Sequence, residues 1–301
     1  MLATKSEDVE FKFYVLALFD ILNQSALLRR LECLPSSADD PAYSEFVQAS
    51  KKTIGTIDWF RKSVKEMFSI FLAADFCNNP RFSTLSGAQK SALHKHNYVE
   101  LQMQSFSDLV AMFSPLRGAD GHLTIRGIYA FLCTCATLIM VGFAKGVAIR
   151  GAIEVGIGAE FWPGELYGPV LFNAYRLEST IAQYPRIVVG QKACQYMTSQ
   201  GVTTDASPAD LLRTVTAQLC KSLVCIDHDG AAIVHFLGEG FREIQGECVG
   251  EKYPTTSDCV KEGLAFVTKE HKRFKKEGNH KLALRYALLR QYYESHKHLW
   301  L

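Results

Sequence analysis

Two aspartates occupy positions from which their carboxylates could hold metal ions. Asp20 ends a short apolar run that begins at Phe11, and the length and aromatic content of this run predict a buried strand. Asp108 lies between two alternating runs, 98–105 and 109–113, which predict a hairpin with Asp108 at the start of its second strand. If the first strand pairs with this hairpin, both carboxylates reach one edge of a sheet. Oxygen ligands so placed suit two divalent ions, Mg²⁺ or Mn²⁺, which support phosphoryl transfer, although position alone also fits a turn-forming role.

The segment that follows Asp20 offers a candidate phosphate site. Asn23 and Gln24 lie in a turn that leads into a predicted helix over 26–34, which Pro35 ends. Free N–H groups and the positive end of a helix dipole favour a phosphate at such a position. Because every helix has this kind of end, the pattern alone does not separate a phosphate site from an ordinary helix start.

Composition argues against several classes of protein. The 301 residues carry a formal net charge of +2 and are 48% hydrophobic, without the concentrated basic face of a nucleic-acid-binding protein. The nine cysteines include no CxxC pair, so we expect reduced thiols in a cytoplasmic protein rather than a structural zinc site. The apolar stretch 128–144 is shorter than a usual membrane span and contains two threonines, which favours a buried helix at an interface. We therefore expect neither nucleic acid nor a membrane as a partner.

The order of the predicted elements is that of an α+β domain. Strands and helices follow as β-α-α-β-β-α-β-α-β, which predicts a split βαβ sandwich with an antiparallel hairpin in its middle. The fourth strand is predicted over 147–155, ended by Gly156 and Gly158, and the next helix over 167–183. We expect a core over 1–205, and over 206–301 a strand pair and a helical extension packed on the same domain.

Three stretches of the sequence, in order, resemble the class III nucleotidyl cyclases. Phe19-Asp20-Ile21 is similar to the first metal strand of that family, 105–108 to its hairpin with the second metal aspartate, and 167–179 to the helix that bears its transition-state arginine. The resemblance spans roughly 11–190 and implies the ferredoxin-like βαββαβ catalytic domain of that family with added helices.

The resemblance assigns roles to individual residues. It implies that Asp20, Asp108 and the carbonyl of Ile21 bind two divalent metal ions. It also implies that Arg176 steadies the phosphates of a nucleoside triphosphate from across a homodimer interface, with the sites at that interface. A planar guanidinium suits developing phosphoryl charge. The alternative for Arg176 is a surface ion pair with Glu178 or another acid.

The residues expected to contact the base depart from the ATP-using members of the family. Those members carry a lysine four residues before the second metal aspartate, where this chain has Gln104, and the other purine-reading position falls on Glu165. The usual transition-state asparagine falls on Phe172, and Asn173 beside it is the candidate for that role. Phe106 and Phe172 are bulky enough to narrow the base pocket towards a pyrimidine.

A narrower resemblance follows from these departures. The stretches 19–24, 150–156, 167–179 and 184–190 look like the bacterial pyrimidine cyclases of the Pycsar antiphage systems. This resemblance implies a homodimer that makes cyclic UMP or cyclic CMP, sensed by a separate effector protein. The Gln104 amide can both donate and accept, so it pairs with either pyrimidine, and UTP is preferred on the resemblance alone. An adenylate or guanylate cyclase with an altered pocket, and a cyclase-like module that only binds nucleotide, remain the alternatives.

Overall fold

The fold was obtained as a computed structural model that describes residues 10–22, 24–73, 86–87, 99–116, 124–200, 208–248 and 256–301. The strands are β1 Lys12–Ile21, β2 Gln102–Phe106, β3 Leu109–Pro115, β4 Ile149–Trp162, β5 Glu165–Tyr167, β6 Ile187–Val189, β7 Val224–Ile226 and β8 Ala232–Val234. The helices are α1 Gln24–Leu28, α2 Tyr43–Ala73, α3 Arg126–Ala144, α4 Pro169–Arg176, α5 Gln191–Gln200, α6 Pro208–Ser222, α7 Glu239–Cys248, α8 Thr256–Lys276 and α9 His280–His296.

The strands form one mixed sheet in the order β2-β3-β1-β4-β6-β8-β7, with β5 paired to β4. The first four strands pair antiparallel with one another, and β1 lies between β3 and β4. This is the strand order of a ferredoxin-like βαββαβ sandwich, in which α2 and α3 make the two crossovers. The α+β prediction is therefore confirmed, and β6 adds to it as a strand parallel to β4.

One face of the sheet carries the main hydrophobic core. Alternate residues of β1, from Val15 to Ile21, point to this face and are at most 1% exposed. Phe19 meets Phe60 of α2 with ring centroids 5.3 Å apart. Helix α3 fills the middle of this core and is covered by α2, α6 and α8. We call this side of the sheet the core face. The candidate functional site described below lies on the opposite side of β1.

Helix α4 covers the opposite face, which we call the α4 face. Tyr14, Leu16 and Leu18 of β1 pack there against Val170 and Ala174 of α4. The pleat therefore places Asp20, the next residue of this alternating set, on the same face.

The prediction that Gly156 and Gly158 end the fourth strand is wrong. Strand β4 continues through both glycines to Trp162. A β-carbon at Gly158 would lie 2.9 Å from Leu166 and 3.1 Å from Val170, so the glycines admit β5 and α4 close to the strand. The predicted helix over 167–183 is correspondingly shorter, because β5 occupies its first residue and a π-helical turn, Leu177–Ile181, follows α4.

Helix α3 is covered by its own chain. Its length and composition would suffice to cross a membrane, but 94% of the relevant window is buried within the protein, as in the core helix of a globular domain. Helices α2 and α8 pack along its sides. The expectation that 128–144 forms part of an interface between two chains is therefore wrong.

The residues after α5 continue the same sheet. Ile233 of β8 pairs with Val188 of β6, and α8 packs on α3. Helix α5, Gln191–Gln200, lies just before the predicted boundary at residue 205. The division into a core over 1–205 and a packed extension over 206–301 stays a prediction.

Candidate functional site

The two predicted metal aspartates lie at one edge of the sheet. In the strand register Asp20 of β1 is opposite Leu109, the first residue of β3, and Asp108 directly precedes Leu109 in the two-residue turn after β2. The backbone N–H of Ile21 points to the carbonyl oxygen of Asp108 at 3.4 Å. Asp108 thus belongs to the turn rather than to the second strand. The structure brings together the three residues predicted to hold metal ions.

The two carboxylates act on each other electrostatically. Burial raises the pKa of Asp20, Arg150 opposes the rise, and the negative charge of Asp108 adds to it. Of the described residues, Arg150 alone donates to the Asp20 carboxylate, and it does so at Oδ2, 2.7 Å away. The Asp20 side chain remains 22% exposed, so the edge is open to an approaching ligand.

A row of four side chains crosses the α4 face at this edge. Phe106 of β2 is opposite Leu109 of β3, Leu109 is opposite Asp20, and Asp20 is opposite Arg150 of β4. Gln104 lies one row further along on the same face, because side chains two apart on a strand share a face. This face therefore carries Asp20 together with two of the base candidates, Gln104 and Phe106.

Arg150 joins Asp20 to a second acid. Its Nε lies 2.5 Å from Oε1 of Glu178, in the π-helical turn after α4, off the direction of a good hydrogen bond. The Glu178 side chain is only 3% exposed. Burial raises the pKa of Glu178, Arg150 opposes the rise, and Asp20 adds to it. The alternative in which Arg176 pairs with Glu178 is wrong, because Arg150 holds that carboxylate.

The donors at this edge fit the divalent ions that the sequence implies. Asp20, Asp108 and the Ile21 carbonyl supply hard oxygen atoms, which Mg²⁺ and Mn²⁺ prefer. Oδ1 of Asp20 is free of protein donors in the part of the chain that the structure describes, and no described group donates to the Asp108 carboxylate. The carboxylates of Asp20 and Asp108 therefore offer oxygen atoms that a cation can bind, and their like charges favour such a cation.

The structure places Gln104 beside the strand that carries Glu165. The Oε1 atom of Gln104 accepts the backbone N–H of Leu166 at 3.2 Å. Glu165 precedes Leu166 in β5 and is exposed. With its oxygen engaged, the Gln104 amide presents its NH₂ group, while Glu165 presents acceptor oxygens. This fixes which half of the Gln104 amide faces outward.

A largely apolar groove of about 620 Å³ adjoins these residues. Leu18 and Leu109 form its floor on the sheet, and Tyr167, Phe172 and Tyr175 lie on its wall from β5 and α4. The volume is in the range of small-ligand sites. Phe172 therefore lies where a base pocket was predicted, whereas Phe106 is 81% exposed and is not part of the wall.

Helix α4 carries the predicted transition-state residues. Arg176 ends the helix with an exposed side chain, and no ion pair with it is found among the described residues. Its charge acts on Glu154 of β4: burial raises the pKa of Glu154, and backbone N–H groups, Lys192 and Arg176 oppose the rise. Asn173 is half-buried, one turn before Arg176 on the same side of the helix.

The predicted phosphate residues are only partly covered by the structure. Asn23 lies outside the described residues. Gln24 begins α1, which has five residues, and its side chain is 5% exposed. Its Oε1 has no partner among the described residues. A five-residue helix has too weak a dipole to hold a phosphate by itself, so the role of Asn23 and Gln24 stays a prediction.

A second acidic group proves to be a turn and not a cation site. The ligand atoms of Asp227, His228 and Asp229 lie within 4.8 Å of one another, after β7. The buried guanidinium of Arg186 already occupies the space between the two carboxylates, with contacts of 2.5 Å to each. The Tyr184 hydroxyl also donates to Asp227. These contacts agree with the turn that Asp229-Gly230 predicts.

Sequence reasoning missed Arg150, Glu178 and Glu154. Arg150 and Glu154 could have been found as charged residues inside an otherwise apolar strand, because charged residues are rarely buried without a partner. Their partners could not be identified from the sequence, since the Arg150–Asp20 pair joins residues 130 positions apart.

Comparisons with known proteins find no matching family model and no matching curated protein. Among solved structures, the chain is similar to the guanylyl cyclase domain of the RhoGC fusion protein from the aquatic fungus Blastocladiella emersonii, with 12% identity and a TM-score of 0.39 over 65% of this chain and 89% of that one. It is also similar to the catalytic core of a rhodopsin-guanylyl cyclase with converted specificity, solved with ATPαS, with 10% identity and a TM-score of 0.37 over 65% and 87%. Because these values are low, the functional argument depends on the geometry of the site.

Proposed function

We propose that the protein is a nucleotide cyclase that converts a nucleoside triphosphate into its 3′,5′-cyclic monophosphate and pyrophosphate. The observation that carries this proposal is the convergence of Asp20, Asp108 and the Ile21 carbonyl at one edge of the sheet, beside an apolar groove on the same face. Oxygen ligands next to a pocket of small-ligand size are what cyclisation of a triphosphate requires.

Two divalent ions, Mg²⁺ or Mn²⁺, would be held by Asp20, Asp108 and the Ile21 carbonyl. When bound, such ions activate a hydroxyl group and stabilise the charge of a leaving phosphate oxygen. The chain itself would orient the substrate: the groove between Leu18 and Phe172 takes the base and sugar and excludes water from one side. The planar fork of Arg176 would stabilise phosphoryl charge in the transition state.

We further propose a pyrimidine substrate, with UTP preferred over CTP. The Gln104 NH₂ group can donate to uracil O4, and the Glu165 carboxylate can accept from N3–H. Cytosine presents the reverse pattern, an N4–H₂ donor and an N3 acceptor, and would meet the same two groups in an inverted orientation, so the preference for UTP depends on the sequence resemblance. Phe172 on the groove wall reduces the room for a purine. A messenger role in phage defence likewise depends on that resemblance.

The site supports the proposal of a homodimer with sites shared between chains. The charge of Arg176 acts on Glu154, which lies four residues along β4 from Arg150, a distance of about 13 Å along a strand. Among the described residues, Arg176 makes no ion pair with Asp20 of its own chain, as expected if it acts on the site of the partner chain. Mixed dimers of inactive Asp108→Ala and inactive Arg176→Ala chains should recover part of the activity, because one of the two composite sites regains both groups. Demonstrably mixed dimers without recovery would contradict shared sites.

The reaction is tested by incubating the pure protein with each of UTP, CTP, ATP and GTP in the presence of Mn²⁺ and identifying products by mass spectrometry. We expect cyclic UMP as the main product, with poor turnover of ATP and GTP. ATP or GTP cyclised at least as well as the pyrimidines would refute the pyrimidine proposal and leave the cyclase proposal standing. No cyclic product with any triphosphate would favour a module that only binds nucleotide.

Changing Gln104 to Ala should sharpen this test. The variant loses the donor to the base, so kcat/KM for UTP should fall by about tenfold or more, whereas residual ATP turnover should change less. Gln102 lies two residues away on the same face of β2 and provides a matched control, since its side chain is further from the row that contains Asp20.

A further inference from the structure

The strongest unassigned feature of the molecule is the ion-pair chain Asp20–Arg150–Glu178. Arg150 contacts Oδ2 of Asp20 at 2.7 Å through Nη2 and Oε1 of Glu178 at 2.5 Å through Nε. One guanidinium is thus divided between two acids, one of which is a candidate metal ligand and the other of which is almost fully buried.

The balance of charge at this edge is incomplete. Asp20, Asp108 and Glu178 are three carboxylates at this edge, and Arg150 is the one guanidinium bonded to any of them in the described part of the chain. The edge therefore favours additional positive charge beyond that of Arg150.

Arg150 and a divalent cation would compete for the same carboxylate. A guanidinium and a cation on one carboxylate repel each other, and at a half-solvated site such repulsion is not fully screened. Glu178 is positioned to reduce this competition, because it holds the opposite side of the same guanidinium from a buried turn. The two acids thus act on Arg150 in opposite directions.

We infer that Arg150 is the resident counter-ion of the Asp20 carboxylate and that Glu178, by retaining Arg150, determines how readily a divalent cation binds there. Arg150 and Glu178 then act on the bound cation through the Asp20 carboxylate. This inference rests on the proposed function only in taking Asp20 and Asp108 as the cation ligands.

The experiment is a measurement of Mn²⁺ affinity, by the free-ion signal in electron paramagnetic resonance, on the full chain without nucleotide. Arg150→Gln should tighten Mn²⁺ binding by about tenfold, because the competing cation is gone. Glu178→Gln should weaken it, because Arg150 then bonds to Asp20 alone. Structural damage would weaken binding in both variants, so the opposite signs are diagnostic.

A double variant separates competition from the general electric field. If Glu178 acts through Arg150, then Glu178→Gln should change the Mn²⁺ affinity by less than about twofold in the Arg150→Gln background. If both residues act only through their charges, the two effects should add and nearly cancel. Additive effects would overturn the inference.

Two further arginines provide matched controls. Arg273→Gln breaks an Arg–Glu pair of 2.6 Å with the buried Glu270 on α8, and Mn²⁺ affinity should not change. Burial lowers the pKa of Arg285 on α9, and the nearby charge of Arg150 lowers it further. Arg285 makes no ion pair within the described residues. Arg285→Gln should therefore have a much smaller effect than Arg150→Gln. An equal effect would overturn the inference in favour of a general field.

The failure of this inference is distinguishable from the failure of the proposed function. Mn²⁺ binding that Asp20→Asn does not reduce would contradict the metal site and, with it, both proposals. Binding that depends on Asp20 but is unchanged in Arg150→Gln would refute this inference alone. If Arg150→Gln does not fold, Arg150→Lys provides the test, because lysine cannot fork between two acids. Partial tightening is expected, and an unchanged affinity would overturn the inference.

Discussion

Arg150 and Arg186 each lie between two carboxylates, but the two clusters are in opposite electrostatic states. Arg186, whose side chain is 3% exposed, contacts Asp227 and Asp229 at 2.5 Å and also donates to the Ile181 carbonyl. Burial alone would raise the pKa of Asp227, but hydrogen bonds from Tyr184, His228 and Arg186 outweigh it. Hydrogen bonds from Arg186 lower the pKa of Asp229 to about 2. The two carboxylates of this cluster are satisfied by their donors.

The pKa values of Asp20 and Glu178 remain raised although both side chains contact Arg150. The difference lies in the number of donors: Asp227 receives hydrogen bonds from three side chains, whereas Asp20 receives them from Arg150 alone among the described residues. A satisfied cluster stabilises the fold, and a cluster that lacks positive charge is a candidate binding site. Substitutions in the two clusters should therefore have different effects on activity and on stability.

The largest contrast should be between Asp20→Asn and Asp227→Asn. Asp20→Asn removes a predicted metal ligand, so kcat should fall by about 10³-fold or more while the thermal transition changes little. Asp227→Asn should leave kcat nearly unchanged at low temperature and should lower stability. Product formation and circular dichroism melting, measured on both proteins, check this. A folded Asp20→Asn protein with near-native turnover would break the comparison.

The next effect concerns stability alone. Arg186→Met leaves Asp227 and Asp229 without their common cation, and breaking a buried ion pair by removing one partner costs about 3–5 kcal/mol. The free energy of unfolding from urea titration measures this loss. Arg150→Met should cost less, because the Arg150 side chain is 22% exposed whereas that of Arg186 is 3% exposed. Equal losses would show that the two clusters are alike.

The pH dependence of stability should follow the Arg186 cluster in acid. The pKa values of Asp227 and Asp229 are lower in the folded protein than the value of about 3.9 in an unfolded chain. Their contribution is therefore fully present above that unfolded value and is lost as the pH falls towards about 2, the folded pKa of Asp229. Urea midpoints across this range should decline, and Asp229→Asn should flatten the decline. An unchanged slope in the variant would contradict the assignment.

The smallest effect should come from Tyr184→Phe. The change removes the hydroxyl that donates to Asp227 but leaves Arg186 and His228 as partners of that carboxylate. We expect a loss of about 1 kcal/mol in the free energy of unfolding. A loss as large as that of Arg186→Met would mean that the tyrosine, and not the arginine, holds the turn.

The sequence predicted the strand that ends at Asp20, the hairpin with Asp108 and the α+β class, because these features follow from local alternation and turn chemistry. Through a family resemblance it predicted base-contacting roles for Phe172, Gln104 and Glu165, and Phe172 lies on the wall of the apolar groove. It did not predict that β4 continues past Gly158, because close packing of Leu166 and Val170 on a glycine depends on residues that meet only after folding.

The sequence by itself determined which residues could bind oxygen-seeking cations and in what order the strands and helices follow. The tertiary structure decided which charges meet. Asp20 contacts Arg150 and not Arg176, Glu178 contacts Arg150 and not its helical neighbour, and Arg186 neutralises the acidic turn at Asp227 and Asp229. The physical reason is that an ion pair depends on a separation of a few ångströms, and sheet register rather than sequence spacing sets that separation for residues more than a hundred positions apart.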